Sequence, residues 1–237
     1  METPLENVNG PDPELKGCKI PVLDKGYVHL LDYIGSDERI LDAARVSSGA
    51  KSDPERDRRL IFFLMENKHG TPFEHVVFQF VVKCPIFVAR QWLRHRIASY
   101  NERSARYRTF KEEFYVPSLH DLPGIFDDDD LKEYEEMMHR EHDFYERMVE
   151  KAKPYREHRK RTREVFRGVL GTAYYTEFYW TLNFRALMNF LELRLGEGAQ
   201  PEIQAYAQAI EKIAQRVAPL AFEAFDEFFL RPARAHD

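Results

Sequence analysis

The chain has 237 residues, 43% of them hydrophobic, and a formal net charge of −5. This length and content fit one large domain with a substantial core better than two domains. The negative charge excludes a general affinity for nucleic acid or anionic membranes, so any basic site must be local. The chain has only two cysteines, no signal-peptide pattern, and no apolar run near the ~20 residues of a membrane span. We therefore expect a soluble, cytoplasmic protein.

The N-terminal part predicts a loose tail followed by one strand and two helices. Residues 1–20 are rich in proline and have little periodicity, so we expect a tail there and a single domain over residues 21–237. The predicted elements are a strand over residues 27–34, a helix over residues 37–46 behind the capping-type Ser36, and a helix over residues 54–67.

A polar run precedes the next predicted strand, which covers residues 76–82. The run contains His69 and His75, but these are six positions apart and no third ligand of comparable spacing follows, so we predict no metal site. Cys84 ends the strand, directly before Pro85, and no histidine adjoins it to generate a thiolate. We therefore expect a buried, inert thiol at Cys84 and not a nucleophile.

The most polar stretch, residues 94–107, follows an apolar helix predicted over residues 85–93. It holds four arginines and a histidine together with serine and asparagine side chains. The planar fork of arginine matches phosphate oxygens two at a time, while hydroxyl and amide groups can bind sugar or base edges. On a helix, Gln91, Arg94 and His95 share one face. Runs of arginine are often solvated surface, but this apolar flank favours a pocket for a phosphorylated ligand.

The C-terminal half alternates helices with one more strand. Four aspartates at 127–130 favour the start of a helix that continues to residue 153, and a strongly basic segment follows over residues 155–170. Residues 173–182, rich in aromatic and β-branched side chains, predict a buried strand. The remaining predicted helices cover residues 183–194, 201–217 and 219–230. Neither a Gly-x-Gly-x-x-Gly fingerprint nor a phosphate-binding glycine loop occurs, so we do not expect the usual dinucleotide fold.

Residues 94–107 fit the pattern Arg-His-Arg-x-x-Ser-x-Asn-Glu-x-Ser-x-Arg-Tyr at every fixed position. This pattern resembles the signature of the flavin-dependent thymidylate synthases, and the resemblance extends from about residue 23 to residue 229. It implies an α/β subunit of the α+β type, in which a mixed, largely antiparallel sheet packs with helices. It also implies a homotetramer whose flavin sites form between subunits.

The resemblance also implies site residues, position by position. Those implied for dUMP are Gln91, Arg94, Glu102, Ser104, Arg106, Arg167 and Arg194. Those implied for FAD are Ser47, His69, Thr71, Arg94, His95, Arg96, Glu102, Asn183, Arg185 and Asn189. Arg194, which would be costly to bury without a partner, is implied to be the catalytic residue. Taken singly, Ser47 is more typical of a helix end, and each asparagine of a cap, than of a ligand contact.

The sequence departs from the family pattern at two positions. Phe166 stands where a small residue is usual, and Gly171 stands where proline usually follows Leu170. Both departures lie close to Arg167 in the chain. They bear on the backbone conformation around Arg167 and leave its charge unchanged.

The activity implied by the resemblance is reductive methylation of dUMP to dTMP. Methylenetetrahydrofolate would give the one-carbon unit, NADPH would reduce FAD, and no cysteine nucleophile would be needed. From the residues alone, two other classes stay open. A nucleotide- or RNA-binding protein without chemistry would bind with an affinity that falls steeply with salt. A flavin oxidoreductase with another substrate would bind flavin but not respond to dUMP.

Overall fold

A five-stranded sheet in the order β1-β2-β3-β5-β4 forms the centre of the fold. The computed structural model of the protein describes residues 15–46, 52–104, 109 and 111–231. Within them, every strand pair is antiparallel, so the mixed sheet that we expected is corrected to an antiparallel one. The strands are Lys19–Val22 (β1), Gly26–Ile34 (β2), Val77–Pro85 (β3), Ser99–Glu102 (β4) and Tyr175–Asn183 (β5).

Helices form the other layer of the α+β fold. The α-helices of the described residues are Asp37–Ala44 (α1), Pro54–Glu66 (α2), Ile86–Trp92 (α3), Asp128–Lys151 (α4), Arg159–Phe166 (α5), Phe184–Leu195 (α6), Pro201–Val217 (α7) and Pro219–Phe225 (α8). Short 3-10 turns occur at Thr71–His75 and Arg167–Val169, and a π turn follows α8 at Asp226–Leu230.

None of these helices combines the length and the apolar character that crossing a membrane requires, in the part of the chain that the structure describes.

Side-chain alternation along the strands decides which face of the sheet packs against the helices. In β3, Phe78, Phe80 and Val82 are buried, whereas Gln79 between them is exposed. Since successive strand residues point to opposite faces, Phe78, Phe80 and Val82 lie on the face that supplies the core, and the opposite face carries Gln79 together with Val81. Helix α7 packs on the core face, where the Tyr206 hydroxyl donates to a β3 carbonyl at 2.7 Å.

An aromatic cluster fixes α3, the helix that leads into the polar stretch. The Trp92 ring is fully buried, and its centroid lies 5.1 Å from that of Trp180 and 4.8 Å from that of Phe190. Aromatic rings bury large apolar areas, and these pairs join the end of α3 to both β5 and α6. The residues after Trp92 therefore start from a rigid point.

The structure corrects the expected tail and one expected cap. Residues 1–14 lie outside the described residues, but Leu15 is fully buried and β1 begins at Lys19, so the packed body starts earlier than residue 21. Ser36 precedes α1, yet its side chain makes no capping bond. Instead, the neighbouring Asp37 accepts hydrogen bonds from the backbone amides of Leu220 and Ala221, in the first turn of α8, at 2.8 and 2.9 Å.

Candidate functional site

Arg194, at the end of α6, joins the polar stretch to the helix before it. Its Nε–H donates to Nε2 of His95 at 3.0 Å, and its Nη2 donates to the backbone carbonyl of Gln91 at 3.2 Å. Partial burial lowers the pKa of the Arg194 guanidinium from its usual value, because the charged form loses hydration. The structure thus brings together Gln91 and Arg194, which the sequence resemblance assigned to dUMP, and His95, which it assigned to FAD.

His95 is held in the neutral form. Burial, and then the positive charge of Arg194, lower the pKa of His95 to about 4. Because Nε2 accepts the bond from Arg194, the ring proton of the neutral imidazole lies on Nδ1. The side-chain nitrogen of Asn189 is 3.5 Å from Nδ1. Since both nitrogens carry hydrogen in this tautomer, this is a close contact and not a hydrogen bond. Asn189 therefore belongs to the same cluster as Arg194, which lies about one and a half turns further along α6.

Arg185, in the first turn of α6, connects this helix to the polar run before β3. Its guanidinium donates to Oε1 of Glu74 at 2.6 Å. A Cβ at Gly70 would lie only 2.7 Å from Nε of Arg185, so the glycine allows the arginine to lie against the backbone between His69 and Thr71. His69 and Thr71 are both exposed here. Three residues predicted for FAD thus lie along one strip of surface.

Glu102 ends the edge strand β4, which the sequence analysis did not predict. Its Oε1 accepts a hydrogen bond of 2.6 Å from the hydroxyl of Thr176, a buried residue of β5. The next backbone amide, that of Arg103, donates to the carbonyl of Glu177 at 2.8 Å. The polar stretch is therefore partly an edge strand, tied to β5 by its backbone and by one side chain.

Arg94, Arg96 and Ser104, three predicted site residues of the polar stretch, are exposed. Among the described residues, no carboxylate pairs with the guanidinium groups of Arg94 and Arg96. Two cations without acidic partners leave the surface locally positive in a chain of negative net charge. Such a surface can hold the phosphate groups of a nucleotide.

Other predicted site residues stand apart or lie outside the described part. Arg167 is exposed on the 3-10 turn after α5, beside the α4–α5 hairpin. Asn183 is the N-cap of α6, where its Oδ1 accepts from the amide of Ala186 at 2.9 Å. Ser47 and Arg106 lie outside the described residues, so their predicted contacts stay predictions.

Cys84 has the environment that we expected. Its side chain is fully buried, and burial, followed by the charge of Glu102, raises the pKa of the Cys84 thiol well above its usual value. A thiol in this environment stays protonated and inert. Within the described ranges, no group of three or more His, Cys, Asp or Glu side chains is arranged to hold a metal ion.

Sequence reasoning gave no role to three residues that contact the predicted site. Glu74 binds Arg185, Thr176 binds Glu102, and Gln200 accepts from Nε2 of Gln91 at 2.5 Å. Glu74 lies in the polar run that holds His69 and Thr71, and Gln200 directly precedes α7; both segments resemble the family sequence, which was the available signal. Thr176 carried no such signal, because its contact depends on the strand register.

Comparisons with known proteins identify the family of this chain. The family model described as thymidylate synthase complementing protein matches residues 29–220. The chain is similar to the flavin-dependent thymidylate synthase of Thermotoga neapolitana, with 47% identity over 213 residues, 89% of this chain and 95% of the relative. It is also similar to the enzyme of that name from Thermus thermophilus, with 44% identity over 225 residues, 90% of this chain and 80% of the relative.

A solved structure has the same fold. The UMP/dUMP methylase PolB from Streptomyces cacaoi, bound with 5-Br dUMP, superposes with a TM-score of 0.75 at 32% identity, over 89% of this chain and 98% of that one. The matched family segment contains the clustered residues around Arg194. The chain therefore belongs to the thymidylate synthase complementing protein family.

Proposed function

We propose that this chain converts dUMP to dTMP by reductive methylation, with methylenetetrahydrofolate as the one-carbon donor, FAD as the bound cofactor and NADPH as its reductant. Relatives named flavin-dependent thymidylate synthase and a similar structure with a bound dUMP analogue support this activity. The structural observation that carries the proposal is the Arg194 cluster with its neutral histidine.

Arg194 would supply electrostatic stabilisation of the uracil ring. Both of its described acceptors, the His95 ring and the Gln91 carbonyl, are uncharged. Its positive charge is therefore oriented without being neutralised. Methylation at C5 requires an electron-rich ring, and a fixed cation beside the ring oxygens stabilises the negative charge that develops there.

The donor set around α6 fits FAD. When bound, the flavin supplies the hydride that completes the methyl group. His95, Asn189, Arg185, His69, Thr71 and Arg96 would hold it, with contributions from Ser47, Arg94, Glu102 and Asn183. The exposed guanidinium groups and amides suit a ligand that carries phosphates and polar ring edges.

The state of Cys84 supports a mechanism without a cysteine nucleophile. Its thiol is fully buried under the sheet and is kept protonated. A thiolate able to add to a pyrimidine needs an adjacent base or cation and access to the substrate. Activation of the ring therefore falls to Arg194 in this proposal.

The proposed assembly is a homotetramer in which each active site combines residues of different subunits. Arg167 supports it, because this arginine is exposed on a turn packed against the α4–α5 hairpin and makes no described contact with the Arg194 cluster. If Arg167 binds dUMP, a neighbouring subunit is the simplest way to bring it to the site. Gln91, Arg94, Glu102, Ser104 and Arg106 would complete the dUMP site.

Visible absorption and product analysis together test the proposed function. Protein reconstituted with FAD and desalted should keep a flavin band that shifts when dUMP is added, and it should form dTMP with both co-substrates. Arg194→Ala should keep the flavin but lose at least about 100-fold in turnover, since it removes the charge-stabilising group. Arg216→Ala, at an exposed arginine on α7, is the matched control and should keep wild-type activity.

Each other outcome points to a different protein. A flavin band indifferent to dUMP would indicate an oxidoreductase with another substrate. Folded protein without flavin, but with salt-sensitive nucleotide or RNA binding, would indicate a binding protein. An Arg194→Ala variant that keeps full turnover would remove the role assigned to Arg194.

A further inference from the structure

We propose that Thr176 is a positioning residue that orients the carboxylate of Glu102 for nucleotide binding. This inference rests on the proposed function, in which Glu102 contacts the nucleotide. It begins from one hydrogen bond, in which the Thr176 hydroxyl donates to Oε1 of Glu102 at 2.6 Å. A short bond from a hydroxyl to a carboxylate is among the stronger kinds of hydrogen bond in proteins.

Thr176 interrupts an otherwise apolar row of side chains. The following residues on the same face of β5 are Phe178, Trp180 and Leu182, all buried, and Thr176 itself is only 7% exposed. Valine would fill the same space in a strand with no polar group to satisfy. A buried hydroxyl is costly unless it is hydrogen-bonded, and the bond to Glu102 is the use that the structure gives it.

The strand register explains why this hydroxyl reaches Glu102. Glu102, the last residue of β4, pairs with Phe178, and Thr176 lies two residues before Phe178 in β5, beyond the end of the β4–β5 ladder. On its other side Thr176 pairs with Cys84 of β3. Diagonal neighbours in a sheet are within reach of a long side chain. The Glu102 side chain can therefore fold back along β5 to the hydroxyl.

The hydrogen bond from Thr176 holds Oε1 of Glu102, and this fixes the direction in which the other carboxylate oxygen points. Glu102 is exposed at the sheet edge, where a glutamate side chain would otherwise sample several rotamers. The Arg103 amide fixes the backbone on Glu177, and Thr176 fixes the side chain. A ligand that binds the free oxygen then loses less affinity to side-chain ordering.

The test compares dUMP affinity, read from the flavin absorption change, in three variants of the FAD-loaded protein. Thr176→Val should weaken dUMP binding about ten-fold, the loss expected for one hydrogen bond to a charged group. Thr176→Ser keeps the hydroxyl and should restore affinity. Thr181→Val, on the opposite face of the same strand, is the matched control and should bind dUMP like the wild type.

A double-mutant cycle separates positioning from a purely structural role. If Thr176 acts through Glu102, Thr176→Val should change affinity less than about two-fold when Glu102 is already replaced by Ala, which removes the acceptor of the hydrogen bond. A loss of similar size in that background, or one that Thr176→Ser does not restore, would overturn the assignment. Wild-type affinity in Thr176→Val would overturn the role of Thr176 and leave the proposed function standing. A wild-type protein that does not bind dUMP would overturn both the proposed function and the role of Thr176.

Discussion

His95 lies between a cation and an aromatic ring, and its protonation state decides whether Arg194 keeps its acceptor. Its ring centroid is 4.9 Å from that of Phe190, and burial, then the charge of Arg194, lower the pKa of His95 from 6.5 to about 4. Because the folded pKa is the lower one, the contribution of this group to stability is complete above pH 6.5 and is lost as pH falls through about 4.

We expect an NMR titration of the His95 ring to give a pKa of about 4, and Arg194→Gln to raise it. Removing the neighbouring cation removes one of the two causes of the shift, so the pKa should move part of the way towards the value of a free imidazole. The spectrum of His95→Gln identifies the resonance. An unchanged pKa in Arg194→Gln would contradict the contact between the two side chains.

Helix α6 organises the site, because the predicted residues follow one another along it. Arg185 is in its first turn, Asn189 comes one turn later, and Arg194 is in its last turn. The start of this helix depends on Asn183, whose side chain accepts from the amide of Ala186. A substitution that removes this cap should therefore disturb the positions of all the predicted site residues on α6.

Asn183→Ala should lower the free energy of unfolding by about 1 kcal/mol, since it removes the N-cap. It should also weaken FAD retention. Asn183→Asp keeps an oxygen acceptor and is the matched variant, which should unfold at nearly the wild-type urea concentration. If Asn183→Asp is stable but loses FAD, the amide contacts the cofactor directly, as the family resemblance implies. Wild-type stability in Asn183→Ala would show that the cap contributes little.

Elements with a strong local pattern could be predicted from sequence. The apolar stripe of α7, the alternation in β2 and the aspartates that begin α4 led to elements close to the observed ones. Asp127 indeed forms a capping box at the start of α4. In each case, the residues that specify the element lie within it.

Short strands could not be predicted in this way. Strands β1 and β4 have four residues each, and β4 is the mostly exposed segment Ser99–Glu102. Such a segment has no apolar face, and its conformation comes from pairing with β5.

The candidate site could likewise be predicted only in part. The composition of residues 94–107 predicted where polar groups gather, but the partners Glu74, Thr176 and Gln200 depend on tertiary contacts.

The described residues form two cores, and predicted site residues lie near both. The large core underlies the sheet and holds α3 and α6 in place, with His95 and Arg194 at its edge. The smaller one, centred on Phe114, Met138 and Tyr174, lies under α4, which leads through α5 to Arg167. A helix of the length of α4 extends about 36 Å. This separation along α4 fits the proposal that Arg167 contributes to the active site of a neighbouring subunit.

Mixing inactive variants tests this arrangement for the whole assembly. We expect Arg167→Ala and Arg194→Ala each to be inactive as pure proteins. Co-expressed with different affinity tags and purified as mixed assemblies of the proposed tetramer, they should regain up to about a quarter of wild-type turnover. In the proposed arrangement, one subunit can supply Arg167 and its neighbour Arg194. Mixing Arg194→Ala with His95→Ala is the control. Those residues touch within one subunit, so no mixed site is intact and no activity should return. If the mixture with Arg167→Ala also stays inactive in verified mixed tetramers, Arg167 does not act across the subunit interface.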